Sequence, residues 1–198
     1  MLLINSLNGP FDFNTAEGLG ANTAYQVLGH ITKGKKLAED NLRKFLKGEI
    51  NVEQMSKNED FETLSKAYIP YSSIDEETEA LNLRQGMAFA SVYIKAFDQD
   101  NDGAMTVEEA GPIGGLIDSI DQSGKITPGK FLSWLIFQDC SSVLNGVLSP
   151  NEVSKALLLV KNDPTFVVEK LREIYEGYKI ESLEKDFELP LPKIGSLN

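Results

Sequence analysis

From Asp98 to Glu109 the chain reads Asp-Gln-Asp-Asn-Asp-Gly-Ala-Met-Thr-Val-Glu-Glu. Three carboxylates alternate, at Asp98, Asp100 and Asp102, so that a tight loop can aim all three at one centre. Gly103 follows where the backbone must turn sharply, a place where a Cβ would be penalised at positive φ. Donors that are all oxygen suit a hard cation, and calcium takes six to eight oxygens at about 2.3–2.6 Å. The chemistry written into these residues is the capture of such an ion.

With these residues the chain resembles the EF-hand family of calcium-binding proteins. The resemblance implies that Asp98, Asp100 and Asp102 are the first, third and fifth ligands of a twelve-residue loop. It further implies that Ala104 contributes its carbonyl, Thr106 its hydroxyl or a bound water, and Glu109 a closing bidentate carboxylate. Helices on either side are expected to share one core. Ala90, Tyr93, Ile94 and Phe97 supply the apolar positions before the loop, and Ala110, Ile113 and Ile117 those after it. One departure stands out. Gly111-Pro112 and Gly114-Gly115 fall inside the expected exiting helix, and such residues shorten or kink helices. Metal binding is left intact, but a large calcium-driven opening is disfavoured.

Loops of this family usually work in pairs, and two later segments echo the first. Ser123-Gly124-Lys125-Ile126-Thr127 and Asn145-Gly146-Val147-Leu148-Ser149 both align with Asp102-Gly103-Ala104-Met105-Thr106, their glycines 21 and 22 residues apart. Counting back from Gly124 puts Gly111, Gly114 and Gly115 where an entering helix needs apolar residues, and its twelfth position is Lys130. That segment therefore reads as a linker or a relic loop. A loop from Asp139 to Glu152 does better, with Phe131, Trp134 and Leu135 before it and Val153, Ala156, Leu157 and Val160 after it. It has fourteen residues, two more than standard, and Ser141, Ser142 and Val143 stand where acids are wanted. It reads as a degenerate partner hand, with Asp139, Asn145 and Glu152 as a second, weaker site, and with Met105 set beside Leu148 in a short β-bridge.

The elements that must position these residues are helical in pattern, and no run alternates like a strand. Helices are expected over Thr32–Leu46, ending before Gly48, and over Asn51–Ile69, ending before Pro70. A third begins near Ser72-Ser73-Ile74-Asp75-Glu76-Glu77 and runs to Phe97. A fourth spans Pro164–Tyr178, with Val167, Leu171, Ile174 and Tyr178 on one face. Residues 1–20 look like an irregular lead-in, and the chain from Leu189 onward like an extended tail. The expected fold is all-α: an EF-hand pair joined by a short β-bridge, with additional N-terminal helices and a C-terminal helix. Its regions are 1–75, 76–162 and 163–198.

Bulk properties narrow the partners. The 198 residues carry a formal net charge of −11, which disfavours a nucleic-acid backbone or an anionic membrane surface as partner. A single cysteine, Cys140, excludes an internal disulfide framework, and a lone His30 argues against a His-based zinc or iron site. The start, Met1-Leu2-Leu3-Ile4-Asn5-Ser6, lacks the basic region of a secretory signal, and no apolar run is long enough for a membrane span. A cytoplasmic location is expected. No nucleophile elbow, P-loop, dinucleotide fingerprint or metalloprotease motif is present, so the chain is not read as an enzyme.

Two functions compete. In the first, calcium exposes a groove for a protein or peptide helix, as in a calcium sensor or adaptor. The chain has only four methionines, Met1, Met55, Met87 and Met105, too few for a Met-rich groove, and the helix around Leu171 could serve as a built-in ligand of such a groove. In the alternative, calcium stabilises or is buffered by a protein that opens little. Trp134, the only tryptophan, is expected in the core.

Overall fold

Thr15 starts the longest helix among the described residues: its hydroxyl accepts a hydrogen bond from the Gly18 N–H at 3.0 Å, an N-cap that satisfies one of the free donors of the first turn. This helix, α1, spans Ala16–Leu46 in the computed structural model, which describes residues 9–12, 14–56, 79–139 and 150–191. It begins sixteen residues before the expected Thr32, because Thr15 caps it and small residues let it lie close to a neighbour. That neighbour is α3, Glu79–Phe97, which follows a short helix α2 at Val52–Ser56. Ala21, Ala24, Met87, Ala88 and Ala90 are all buried, and a Cβ on Gly20 would lie 1.9 Å from the Gln85 carbonyl oxygen. The two backbones approach so closely that only glycine fits there. Arg84 on α3 pairs with Glu17 on α1 across the same seam. The remainder of the expected helix to Ile69, and the expected helix start at Ser72, lie outside the described residues.

After α3 the chain forms β1 (Met105–Thr106), α4 (Gly114–Asp118), β2 (Lys125–Ile126) and α5 (Pro128–Asp139). Three more helices follow: α6 (Pro150–Asn162), α7 (Pro164–Gly177) and α8 (Ile180–Asp186). Asp163 caps α7, accepting from the Phe166 N–H at 3.1 Å, with Pro164 in the first turn. Its apolar stripe matches the expected one: Val167 and Leu171 are fully buried. α8 was not expected; Leu189, Pro190 and Leu191 beyond it are non-helical, as read.

The core centres on α5. Trp134 is 1% exposed and stacks on Phe137 at 5.7 Å, and Phe131 stacks on Tyr93 of α3 at 4.6 Å. Helices α3, α6, α7 and α8 all pack against it. Among the described residues the fold is mostly helical, with one small antiparallel sheet of two strands. No helix among the described residues is long and apolar enough to cross a membrane.

The sheet corrects the expected pairing. Met105 pairs with Ile126, and Thr106 with Lys125. The segment read as a linker or relic therefore supplies the partner strand. The expected partner of Met105, Leu148, lies outside the described residues. So does most of the loop expected between Asp139 and Glu152, Asn145 included. Asp139 ends α5 and Glu152 sits in the first turn of α6, both buried.

Candidate metal centre

The first loop leaves α3 at Asp98, whose N–H still bonds the Ile94 carbonyl at 2.9 Å. Asp98 Oδ2 then accepts the Gly103 N–H at 2.8 Å, Asp100 Oδ1 accepts the Asp102 N–H at 3.3 Å, and Asp102 Oδ1 accepts the Ala104 N–H at 3.0 Å. Each aspartate turns the backbone around its own carboxylate, and the loop curls inward. Asn101 and Gly103 complete the curl in the left-handed region, at φ 59° and 92°. Gly103 needs no special space, since nothing lies within 4 Å of an added Cβ; it is the φ that calls for glycine.

Curling brings one carboxylate oxygen from each of Asp98, Asp100 and Asp102 within 4.8 Å of the others. Asp98 is 8% exposed, and its Oδ1 is buried without a hydrogen-bond partner. A buried carboxylate oxygen with no donor is strongly disfavoured unless a cation takes the place of one. The crowding shows in the acidity of Asp100: the Asp98 carboxylate close beside it first, then desolvation, hold its carboxyl above the usual value.

Glu109 closes the loop through the backbone. Thr106 Oγ1 accepts the Glu109 N–H at 3.2 Å while Glu109 Oε2 accepts the Thr106 N–H at 2.7 Å, a reciprocal capping box. Its other oxygen accepts the Gln99 N–H at 3.1 Å, so the carboxylate ties the end of the loop to its beginning. The Thr106 and Gln99 donors hold its pKa below the ordinary value. The three aspartates are thus gathered at one point, while Glu109 stands outside that cluster and ties the loop ends together. Ala104 is buried and Thr106 exposed at the start of the ladder. As the glycines forewarn, the exit from the loop is a single turn. Ala110 N–H bonds the Thr106 carbonyl at 3.0 Å, and Gly111 at φ 84° ends it.

Two lysines from outside the loop reach it, and neither was anticipated. Lys35 of α1 donates to the Glu109 carbonyl at 3.0 Å and lies 3.8 Å over the Phe97 ring. Lys125 of β2 pairs with Asp102 Oδ2. The signal for Lys125 was its one-residue offset from Ile126 across the ladder; nothing in the sequence pointed to Lys35.

The segment from Asp118 to Lys130 repeats four hydrogen bonds of the first loop, and lacks only those made by the Glu109 carboxylate. Asp118 Oδ1 accepts the Gly124 N–H at 2.9 Å, as Asp98 does from Gly103. Asp121 Oδ1 accepts the Ser123 N–H at 3.0 Å, as Asp100 does from Asp102. Ser123 Oγ accepts the Lys125 N–H at 3.4 Å, and Thr127 Oγ1 the Lys130 N–H at 3.4 Å, matching the roles of Asp102 and Thr106. Gln122 and Gly124 hold positive φ as Asn101 and Gly103 do. The second loop carries one additional residue between Asp118 and Asp121.

Comparison with protein-family models, curated proteins and solved structures finds no match to this chain.

Proposed function

We propose that this chain is an EF-hand protein that binds one calcium ion in the loop Asp98–Glu109, and that the ion stabilises the fold without a large opening. The observation that carries the reading is the convergence of Asp98, Asp100 and Asp102 around a buried Asp98 oxygen that has no donor. A hard divalent cation is the partner that best suits three crowded carboxylates. The absence of opening is supported by the single-turn exit ending at Gly111, and by α7, whose Val167 and Leu171 already fill the core beside α5. Calorimetric titration tests the reading: one calcium binds per chain at roughly 10⁻⁷–10⁻⁵ M. No heat of binding in the wild-type chain would reject it.

A cleft favours a second reading, the calcium-regulated binding of a protein or peptide helix. Phe137, Leu159, Phe166, Ile174 and Tyr178 line a space of ≈ 600 Å³ between α5, α6 and α7. Hydrophobic-dye fluorescence separates the two. A sharp rise with calcium supports the sensor, and a rise in melting temperature alone supports the stabilising role.

A further inference from the structure

Lys130 stands where the first loop has Glu109, and its side chain is fully buried. A buried ammonium is strongly disfavoured unless its donors are satisfied by well-placed acceptors. Its Nζ pairs with Asp118 Oδ1 at 3.1 Å and with Asp121 Oδ1, and hydrogen-bonds Ser123 Oγ at 2.8 Å and the Lys125 carbonyl oxygen. These acceptors correspond in order to the residues Asp98, Asp100, Asp102 and Ala104 of the first loop. The two carboxylates, the hydroxyl and the carbonyl that such a loop offers a metal are all turned onto one nitrogen.

We infer that the Lys130 ammonium is the resident cation of the second loop, a tethered replacement for calcium that sets this loop whether or not metal is present. The substitution is chemically balanced. The second loop has two carboxylates where the first has four, and a monovalent ammonium with three donors suits that smaller negative charge. The length fits as well, since the residue that would close the loop with a carboxylate reaches inward with an ammonium instead. Contacts from outside hold the same loop. Arg172 of α7 donates to the Ser119 carbonyl at 2.6 and 3.1 Å, and Thr127 donates to Glu184 of α8 at 3.1 Å. Through the ladder between Met105 and Ile126, this fixed loop is the platform on which the first loop closes.

The inference rests on reading the first loop as a cation cradle, so its test is made with that loop disabled by Asp98→Ala and Glu109→Gln. In this background the chain with Lys130 should bind no calcium and should melt at the same temperature in EDTA and in millimolar calcium. Lys130→Met keeps the apolar stem and removes the charge. It should lower the melting temperature in EDTA by roughly 2–10 °C, less than for a fully buried pair, because Asp118 and the half-exposed Asp121 keep part of their hydration. Lys130→Glu restores the closing carboxylate and should create a calcium site of one-to-one stoichiometry, with folding recovered by calcium. Should the methionine variant fail to fold, the glutamate variant in calcium decides alone. An unchanged melting temperature for Lys130→Met, or no calcium binding by Lys130→Glu, would overturn the inference. So would calcium binding to the second loop while Lys130 is present.

Discussion

The two loops joined by the ladder share a backbone and differ in charge. In the first, three aspartates converge and Asp98 Oδ1 is left buried with no donor. In the second, the matching acceptors close on the Lys130 ammonium. The hydrogen bonds that shape each loop are made by the same positions, so the turn itself does not decide whether metal is wanted. The decision lies at the closing residue. A carboxylate there leaves surplus negative charge for an external ion, whereas an ammonium spends that charge internally.

The largest expected effect breaks the first loop. Asp98→Ala with Glu109→Gln removes two of its four carboxylates, and calcium binding should become weaker than about 10⁻³ M, beyond the weakest loops of this kind, as ligand charge sets affinity. Calorimetry reads this directly, and retained affinity would reject the assignment. Next in size is the effect of the ion on stability. With calcium at about a hundred times its dissociation constant, the wild-type chain should gain about 2.7 kcal/mol. For a chain of this length that is a rise of roughly 5–10 °C in melting temperature. Because Trp134 is buried in the helix that follows the second loop, its fluorescence should change little if that loop is already set.

A smaller effect sharpens the comparison at the contact between the loops. Lys125 pairs with Asp102 and competes with an incoming ion for that carboxylate, although half of the lysine side chain is exposed. Lys125→Met should raise calcium affinity by roughly two- to fivefold, the scale of an exposed pair. An unchanged or lower affinity would show that Lys125 is spectator or support instead.

Acidity should move the loops in opposite directions. Asp100 has its pKa raised in the folded state by Asp98, so the metal-free first loop is relieved of repulsion as pH falls through that raised value. Calcium, which requires both carboxylates ionised, should bind more weakly over the same window. Asp121 is different. Burial pushes its pKa up, but the Lys130 and Ser123 hydrogen bonds outweigh this and hold it below the ordinary value. Its contribution to stability is present above the unfolded-state carboxylate pKa and is lost as pH falls through the lowered one. Asp100→Asn should therefore stabilise the chain in EDTA near neutral pH and flatten the acid-side gain. Thermal melts in EDTA across the acid range check both directions.

Much of the first loop was legible because its carboxylates are local. Asp98, Asp100, Asp102 and Gly103 carry their geometry in their spacing, and the structure gathers the three aspartates at one point. The helix at Pro164–Gly177 was legible for a related reason, since its cap, its proline and its apolar stripe all lie within the segment. The strand partner of Met105 was placed at Leu148 instead of Ile126 on two physical grounds. One residue between Asp118 and Asp121 shifts the first acid out of step with Gly124, so counting back from the glycine lands on Ser119. Lys130 at the closing position also counts against a metal loop, although an ammonium can itself be the cation that such a loop holds. The matching Met105-Thr106 and Ile126-Thr127 pairs were the available signal. The early start of α1 was hidden because close helix contact through Gly20 and Ala21 depends on α3, far along the chain.

The most direct test of the whole account is an anomalous-scattering map from crystals grown in calcium. One strong peak is expected among Asp98, Asp100, Asp102 and Glu109, and only the Lys130 nitrogen among Asp118, Asp121 and Ser123. A peak within the second loop, or none within the first, would contradict it.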